Sequence, residues 1–231
     1  MQSIVITGGP CSGKTSAIKV LRERLAAADI PALFVEEAGT DLILQGVTPQ
    51  SCGCMRLFQL EVAKLQLERE AAARAEAEKA GLAAETLVVC DRGIADGAAY
   101  LSPEEYAWVL QSIGLSAQDA LLRYDAAFCL ESTAKIPTEG CAPATSYAAE
   151  TGSDGANAGS SNSSEAPTSA THPYTLANNT ARRESREEAA ALDDRTYAAW
   201  ETHPHFYFIP NAASFEEKVN KLLDALMSFA R

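Results

Sequence analysis

The stretch Gly8-Gly9-Pro10-Cys11-Ser12-Gly13-Lys14-Thr15 constrains this chain more than any other. It fits the pattern G-x-x-x-x-G-K-[ST]. An apolar run, Ile4-Val5-Ile6, precedes it, and a helical pattern begins near Lys14. That is the strand–loop–helix setting a phosphate-binding P-loop requires. Glycines let the backbone curl until successive N–H groups point at one anion. The following helix adds the positive end of its dipole. In this reading Gly8, Gly9, Pro10, Cys11, Ser12, Gly13, Lys14, Thr15 and Ser16 cradle a nucleotide phosphate. Lys14 reaches the β- and γ-phosphates, and the Thr15 hydroxyl is placed to ligate Mg²⁺.

The first strand is read at about residues 3–7 and the helix after the loop at about 14–28. Ala32-Leu33-Phe34-Val35 reads as a buried second strand ending in Glu36-Glu37. Carboxylates at the C-terminal end of a parallel strand stand where α/β sheets bind ligands. One of them, Glu37 in preference, would orient or deprotonate a substrate hydroxyl or hold Mg²⁺ through water. The plainer alternative is a solvated pair opening the next helix. Residues 54–80 follow a helical pattern whose Glu- and Arg-rich tail is most simply a solvated face. Thr86-Leu87-Val88-Val89-Cys90 is a continuous apolar run, a central parallel strand. Asp91-Arg92-Gly93 closes it. Asp91 supplies the acid a P-loop site needs as a partner of Mg²⁺, and Arg92 could contact a phosphate or substrate anion. An ion-paired turn is the alternative.

Ser102-Pro103-Glu104-Glu105 has the form of a capping box before short helices near 103–112 and 116–122. Residues 125–130 read as a fourth strand and Phe206-Tyr207-Phe208-Ile209 as a fifth. Asn211, in the loop after the fifth strand, is positioned to line a base pocket. A long helix is read from about residue 182 to residue 200. Its opening arginines, Arg182 and Arg186 among them, suit a lid closing on phosphates. Pairing with Glu184, Glu187 and Glu188 would instead make an exposed helix laced with ion pairs. The last helix is read at about 214–230.

Between these elements lies an abrupt change. Residues 137–172 contain no Lys, Arg, Leu, Ile, Val, Phe or Met. Such a stretch buries too little apolar surface to offset its ordering entropy. It is expected to be a flexible insertion within a single P-loop domain spanning residues 1–231. The chain carries 19 Lys and Arg against 31 Asp and Glu, a net charge of −12. An acidic chain is a poor general binder of nucleic acid or anionic membrane. Met1-Gln2-Ser3 leads directly into the first strand, so no signal peptide is expected. No apolar run approaches the ~20 residues that span a bilayer. The six cysteines are expected to be reduced thiols, and the cytoplasm is the expected compartment.

The ordered set of motifs resembles the AAA-type P-loop domain shared by two proteins. One is the ribosylnicotinamide-kinase part of the bacterial NAD-biosynthesis regulator; the other is the animal TRPL translocation defect protein. The resemblance rests on the residues from Val5 to Thr15, on Val35-Glu36-Glu37-Ala38, and on Val89-Cys90-Asp91-Arg92-Gly93 with Asp96-Gly97-Ala98. It continues in Tyr174-Thr175, Asn179, Arg182, Glu184, Ala189 and Leu192-Asp193. It ends in Trp200, His203-Pro204, Asn211, Phe215-Glu216 and Lys218. The resemblance implies an α/β three-layer fold of kinase-like strand order, with five parallel strands and helices on both faces. It implies binding of ATP with Mg²⁺, GTP being possible, and transfer to an unidentified small-molecule acceptor. A nucleotide-dependent switch with slow hydrolysis is the competing class. By similarity Glu37 is the acid after the second strand, Asp91 and Arg92 match the Asp-Arg motif of nucleoside-kinase-like enzymes, and Arg182 falls in the lid region.

Overall fold

A computed structural model describes residues 1–136 and 185–229. The expected insertion at 137–172, and Arg182 with it, lies outside the described residues. Five parallel strands form one sheet in the order β2-β3-β1-β4-β5. They are β1 (Gln2–Thr7), β2 (Ala32–Val35), β3 (Leu87–Asp91), β4 (Ala126–Leu130) and β5 (Phe206–Ile209). The α-helices are α1 (Lys14–Ala27), α2 (Ala38–Leu44), α3 (Met55–Lys79), α4 (Pro103–Ser112), α5 (Ala117–Leu122), α6 (Arg186–Trp200) and α7 (Phe215–Phe229).

The alternation of side chains in β1 divides the core in two. Ile4 and Ile6 face α1 and α7, packing with Leu21, Leu25, Phe128, Leu222 and Leu226. Val5 faces the other layer, with Val88, Cys90, Tyr124, Ala127 and Trp200. This period-2 division is what a sheet covered on both faces demands. Leu222 and Leu226 of α7 are at most 1% exposed, and burying each contributes roughly 1.5–3 kcal/mol.

Three expectations change. β2 is an edge strand, so three of its four residues are only half-buried; Phe34 is covered by the Arg22 guanidinium at 4.0 Å from its ring centre. The tail of α3 is not wholly solvated. Glu70 is 1% exposed and accepts hydrogen bonds from Tyr124 Oη (2.6 Å), Gln66 Nε2 (3.0 Å) and Arg123 Nε (2.9 Å). Finally, α6 begins at Arg186 because Ser185 caps it: the Ser185 hydroxyl accepts from Glu188 N–H, and the Glu188 carboxylate accepts from Ser185 N–H. This serine-to-glutamate spacing repeats the box at Ser102 and Glu105, which forms as expected.

Candidate active site

The chain leaves β1 beside both its neighbours, β3 and β4, and then leads out to β2 on one side. The P-loop therefore sits where strand order reverses, the ligand-binding crevice of open α/β sheets. Gly8 has φ +139° and Gly13 has φ +86°, backbone that favours glycine. A Cβ on Gly8 would lie 2.2 Å from the Leu130 carbonyl oxygen. The loop is bonded from behind. Ser132 Oγ donates to Pro10 O. Thr133 donates to Cys11 O through its N–H (3.2 Å) and its hydroxyl (3.0 Å). Lys218 Nζ donates to Ser12 O (2.9 Å). Gly9 N–H donates to Asp193 Oδ1 at 2.7 Å, and Lys14 Nζ donates to Gly8 O at 3.0 Å. In a trans peptide the N–H points away from the C=O, so three captured carbonyls turn the following N–H groups to the other side, where that of Ser12 donates to Gly9 O (3.3 Å). Ser12 Oγ is buried with no hydrogen-bond partner, a donor held ready at an anion site. Thr15 and Ser16 are exposed in the first turn of α1.

Beside the loop, the ends of β2 and β3 bring Glu37, Asp91 and Arg92 together. Arg92 has φ +69°, and its N–H donates to Ile6 O of β1 (3.1 Å). Its guanidinium donates to Glu37 Oε1 (2.8 Å) and Asp96 Oδ1 (3.0 Å). Burial opposes ionisation of Glu37, but Arg92 and Lys14 outweigh it and hold the carboxyl down at about 2. Thr40 adds a hydrogen bond to Glu37 Oε2 (3.0 Å). Glu36, by contrast, points to the surface and pairs with Arg22 (2.7 Å). Asp91 behaves oppositely to Glu37. Burial pushes it up to about 6, against the pull of Lys14. Its Oδ1 is buried and has no partner. An unpartnered carboxylate oxygen beside a P-loop lysine fits a hard cation such as Mg²⁺, which takes oxygen ligands.

Sequence reading placed Asp96 and Asp193 in the resemblance but gave neither a role. Asp96 is 3% exposed and accepts from Thr7 Oγ1 (2.5 Å), Arg92, Gly93 N–H (2.9 Å) and Trp200 Nε1 (3.1 Å). Its position three residues after Gly93, at the head of the 3₁₀ turn Ile94–Ala99, was the available signal. Asp193 of α6 accepts from Gly9 N–H, Ser132 N–H (3.2 Å) and Lys135 Nζ (2.8 Å). Asn211 lies behind the loop: its Nδ2 donates to Ser132 O (3.0 Å) and its Oδ1 accepts from Lys218 (3.0 Å). Arg186 donates through Nε to Ala134 O (2.8 Å), beyond β4.

A P-loop on a five-stranded parallel sheet of kinase-like order defines a nucleotide-binding α/β protein of the kinase or ATPase type. A family model described as an AAA domain matches residues 3–146, and the chain belongs to that family. Among solved structures, thymidylate kinase from Ehrlichia chaffeensis superposes with a TM-score of 0.54 at 13% identity, covering 98% of each chain. At that identity the likeness is one of fold. A search of curated proteins finds no match. Among the described residues no helix is long and apolar enough to cross a membrane.

Proposed function

We propose that this protein is an ATP-dependent phosphotransferase acting on a small, hydroxyl-bearing, nucleoside-like acceptor. One observation carries the reading: Lys14, Glu37, Asp91 and Arg92 form a single electrostatic cluster at the ends of three adjacent strands, beside a P-loop. Phosphoryl transfer asks for alignment and charge neutralisation more than for a strong base. Lys14, Ser12 Oγ and the loop N–H groups would hold the nucleotide phosphates. Thr15 and Asp91 would hold Mg²⁺, which supplies further neutralisation of the phosphate charge. Glu37, kept ionised by Arg92, would accept a hydrogen bond from the acceptor hydroxyl and orient it. The lid arginines, Arg182 and Arg186, would complete the neutralisation, and Asn211 would support the nucleotide-binding loop. A reducing compartment such as the cytoplasm suits the free cysteines at 52, 54, 90 and 129.

Product formation from ATP or GTP, measured against a panel of nucleosides, tests the reading. Acceptor-dependent turnover with one nucleoside class is the expected result. Slow hydrolysis indifferent to every acceptor would replace it with the switch class.

A further inference from the structure

We propose that Lys218 is a positioning residue of the phosphate cradle, a buried cation that acts on nucleotide phosphates through the P-loop backbone. The inference rests on the loop being a nucleotide phosphate site. Lys218 lies in the first turn of α7 and is 3% exposed. Its ammonium donates to Ser12 O (2.9 Å), Glu131 O (2.5 Å) and Asn211 Oδ1 (3.0 Å). Three donors thus meet three acceptors, and all three acceptors are neutral.

No described carboxylate forms an ion pair with Lys218. The two nearest in effect are engaged elsewhere. Glu131 Oε2 accepts from Asn211 N–H (2.8 Å), and Asp193 is taken by Gly9, Ser132 and Lys135. Burying an ammonium without an ion pair is unfavourable for folding by several kcal/mol. Hydrogen bonds to neutral oxygens offset part of this, and an anion arriving from outside would offset more.

The route to that anion is one peptide group. Ser12 O and Gly13 N–H belong to the same amide, so a charged donor on the oxygen polarises the N–H. Ser132 and Thr133 bond the two preceding carbonyls but carry no charge. Lys218 is therefore the donor among these that adds net positive potential, alongside Lys14 at the front of the loop.

The groups acting on Lys218 are Glu131 at the end of β4, Asp193 on α6, Cys129 in β4 and Lys14 on α1. Burial pushes its ammonium down to about 8, against the pull of Glu131 and Asp193. The Cys129 thiol is pushed up to about 12 and titrates above the range that matters.

Calorimetric titration with Mg·ATP, and separately with inorganic tripolyphosphate, between pH 7 and 9.5 tests this. Lys218→Met removes charge and donors. Lys218→Gln removes the charge and keeps a donor amide, so a merely structural role would survive it. Wild-type affinity should fall about tenfold as pH rises through 8. Both variants should bind about tenfold more weakly at pH 7 and show no such fall. A flat wild-type profile, or wild-type affinity in Lys218→Gln at pH 7, overturns the inference and leaves the phosphate-site reading intact. Absence of binding by wild type to either ligand removes both together. If Lys218→Met does not fold, Lys218→Gln and the wild-type profile decide.

Discussion

At the scale of single residues, two carboxylates one strand apart behave in opposite ways, and their neighbours explain why. Glu37 meets the guanidinium of Arg92, whereas Asp91 meets no hydrogen-bond donor at Oδ1. Asp91 has an ordinary value of 3.8 and a folded value of about 6. Between those values the folded state binds more protons than the unfolded chain, so stability falls as pH rises through that window. Asp91→Asn should accordingly stabilise the ligand-free protein at pH 7, by on the order of 2–3 kcal/mol, seen as a raised melting temperature. The same variant should lose Mg²⁺-dependent turnover. In the wild type, turnover should rise with pH through about 6 as Asp91 ionises, read from a pH–rate profile. Lys14→Ala should abolish nucleotide binding or turnover while leaving the circular dichroism spectrum unchanged; an unaltered affinity would remove the P-loop assignment.

At this scale the sequence marked Lys14, Glu37, Asp91 and Arg92, because each follows a strand or sits in a motif with a known chemical demand. It favoured Glu37 over Glu36, but the pairing that sets them apart, with Arg92, 55 positions away, was not readable. Lys218 belongs to the resemblance, but its role was hidden. On a helical wheel it reads as one more charge at the start of an amphipathic helix.

At the scale of elements, α6 joins the two halves of the site. Asp193 holds the P-loop at Gly9, Trp200 holds Asp96, and Arg195 Nε donates to Ala99 O (2.7 Å) in the turn after Arg92. A helix bonded at three points along its length fixes the distance between the phosphate cradle and the Glu37–Arg92 pair. Asp96→Ala strands the buried Arg92 guanidinium without one of its partners and should cost about 3–5 kcal/mol, measured by denaturant unfolding. Thr7→Val keeps the side-chain shape and removes one hydrogen bond to Asp96, and should cost about 1 kcal/mol. Similar losses for the two variants would show that Asp96 is not the hub of this network. The elements themselves were legible, because apolar runs and capping serines are local signals. The bonds between elements were not, because nothing in the spacing of Asp96 and Trp200 announces that they meet.

At the scale of the whole molecule, the parallel sheet places every motif at the C-terminal ends of its strands, and this consequence of connectivity was readable from the order of motifs alone. The exposed edge was not: an apolar tetrapeptide such as Ala32-Leu33-Phe34-Val35 does not say how many neighbours it has. Residues 137–172 add length without Leu, Ile, Val, Phe or Met. Deleting residues 140–170 should therefore leave the melting temperature nearly unchanged by calorimetry. A large fall would show that the segment packs.

The carbonyls of Pro10, Cys11 and Ser12, each bonded from behind, also bear on how fast a ligand arrives. A loop already held in its receiving shape has no slow rearrangement to complete. Stopped-flow mixing with a fluorescent nucleotide should give a single phase whose rate grows linearly with concentration, with an association constant at or above the usual 10⁵–10⁷ M⁻¹s⁻¹, roughly. A rate that levels off at high concentration would mean that the loop must first be made.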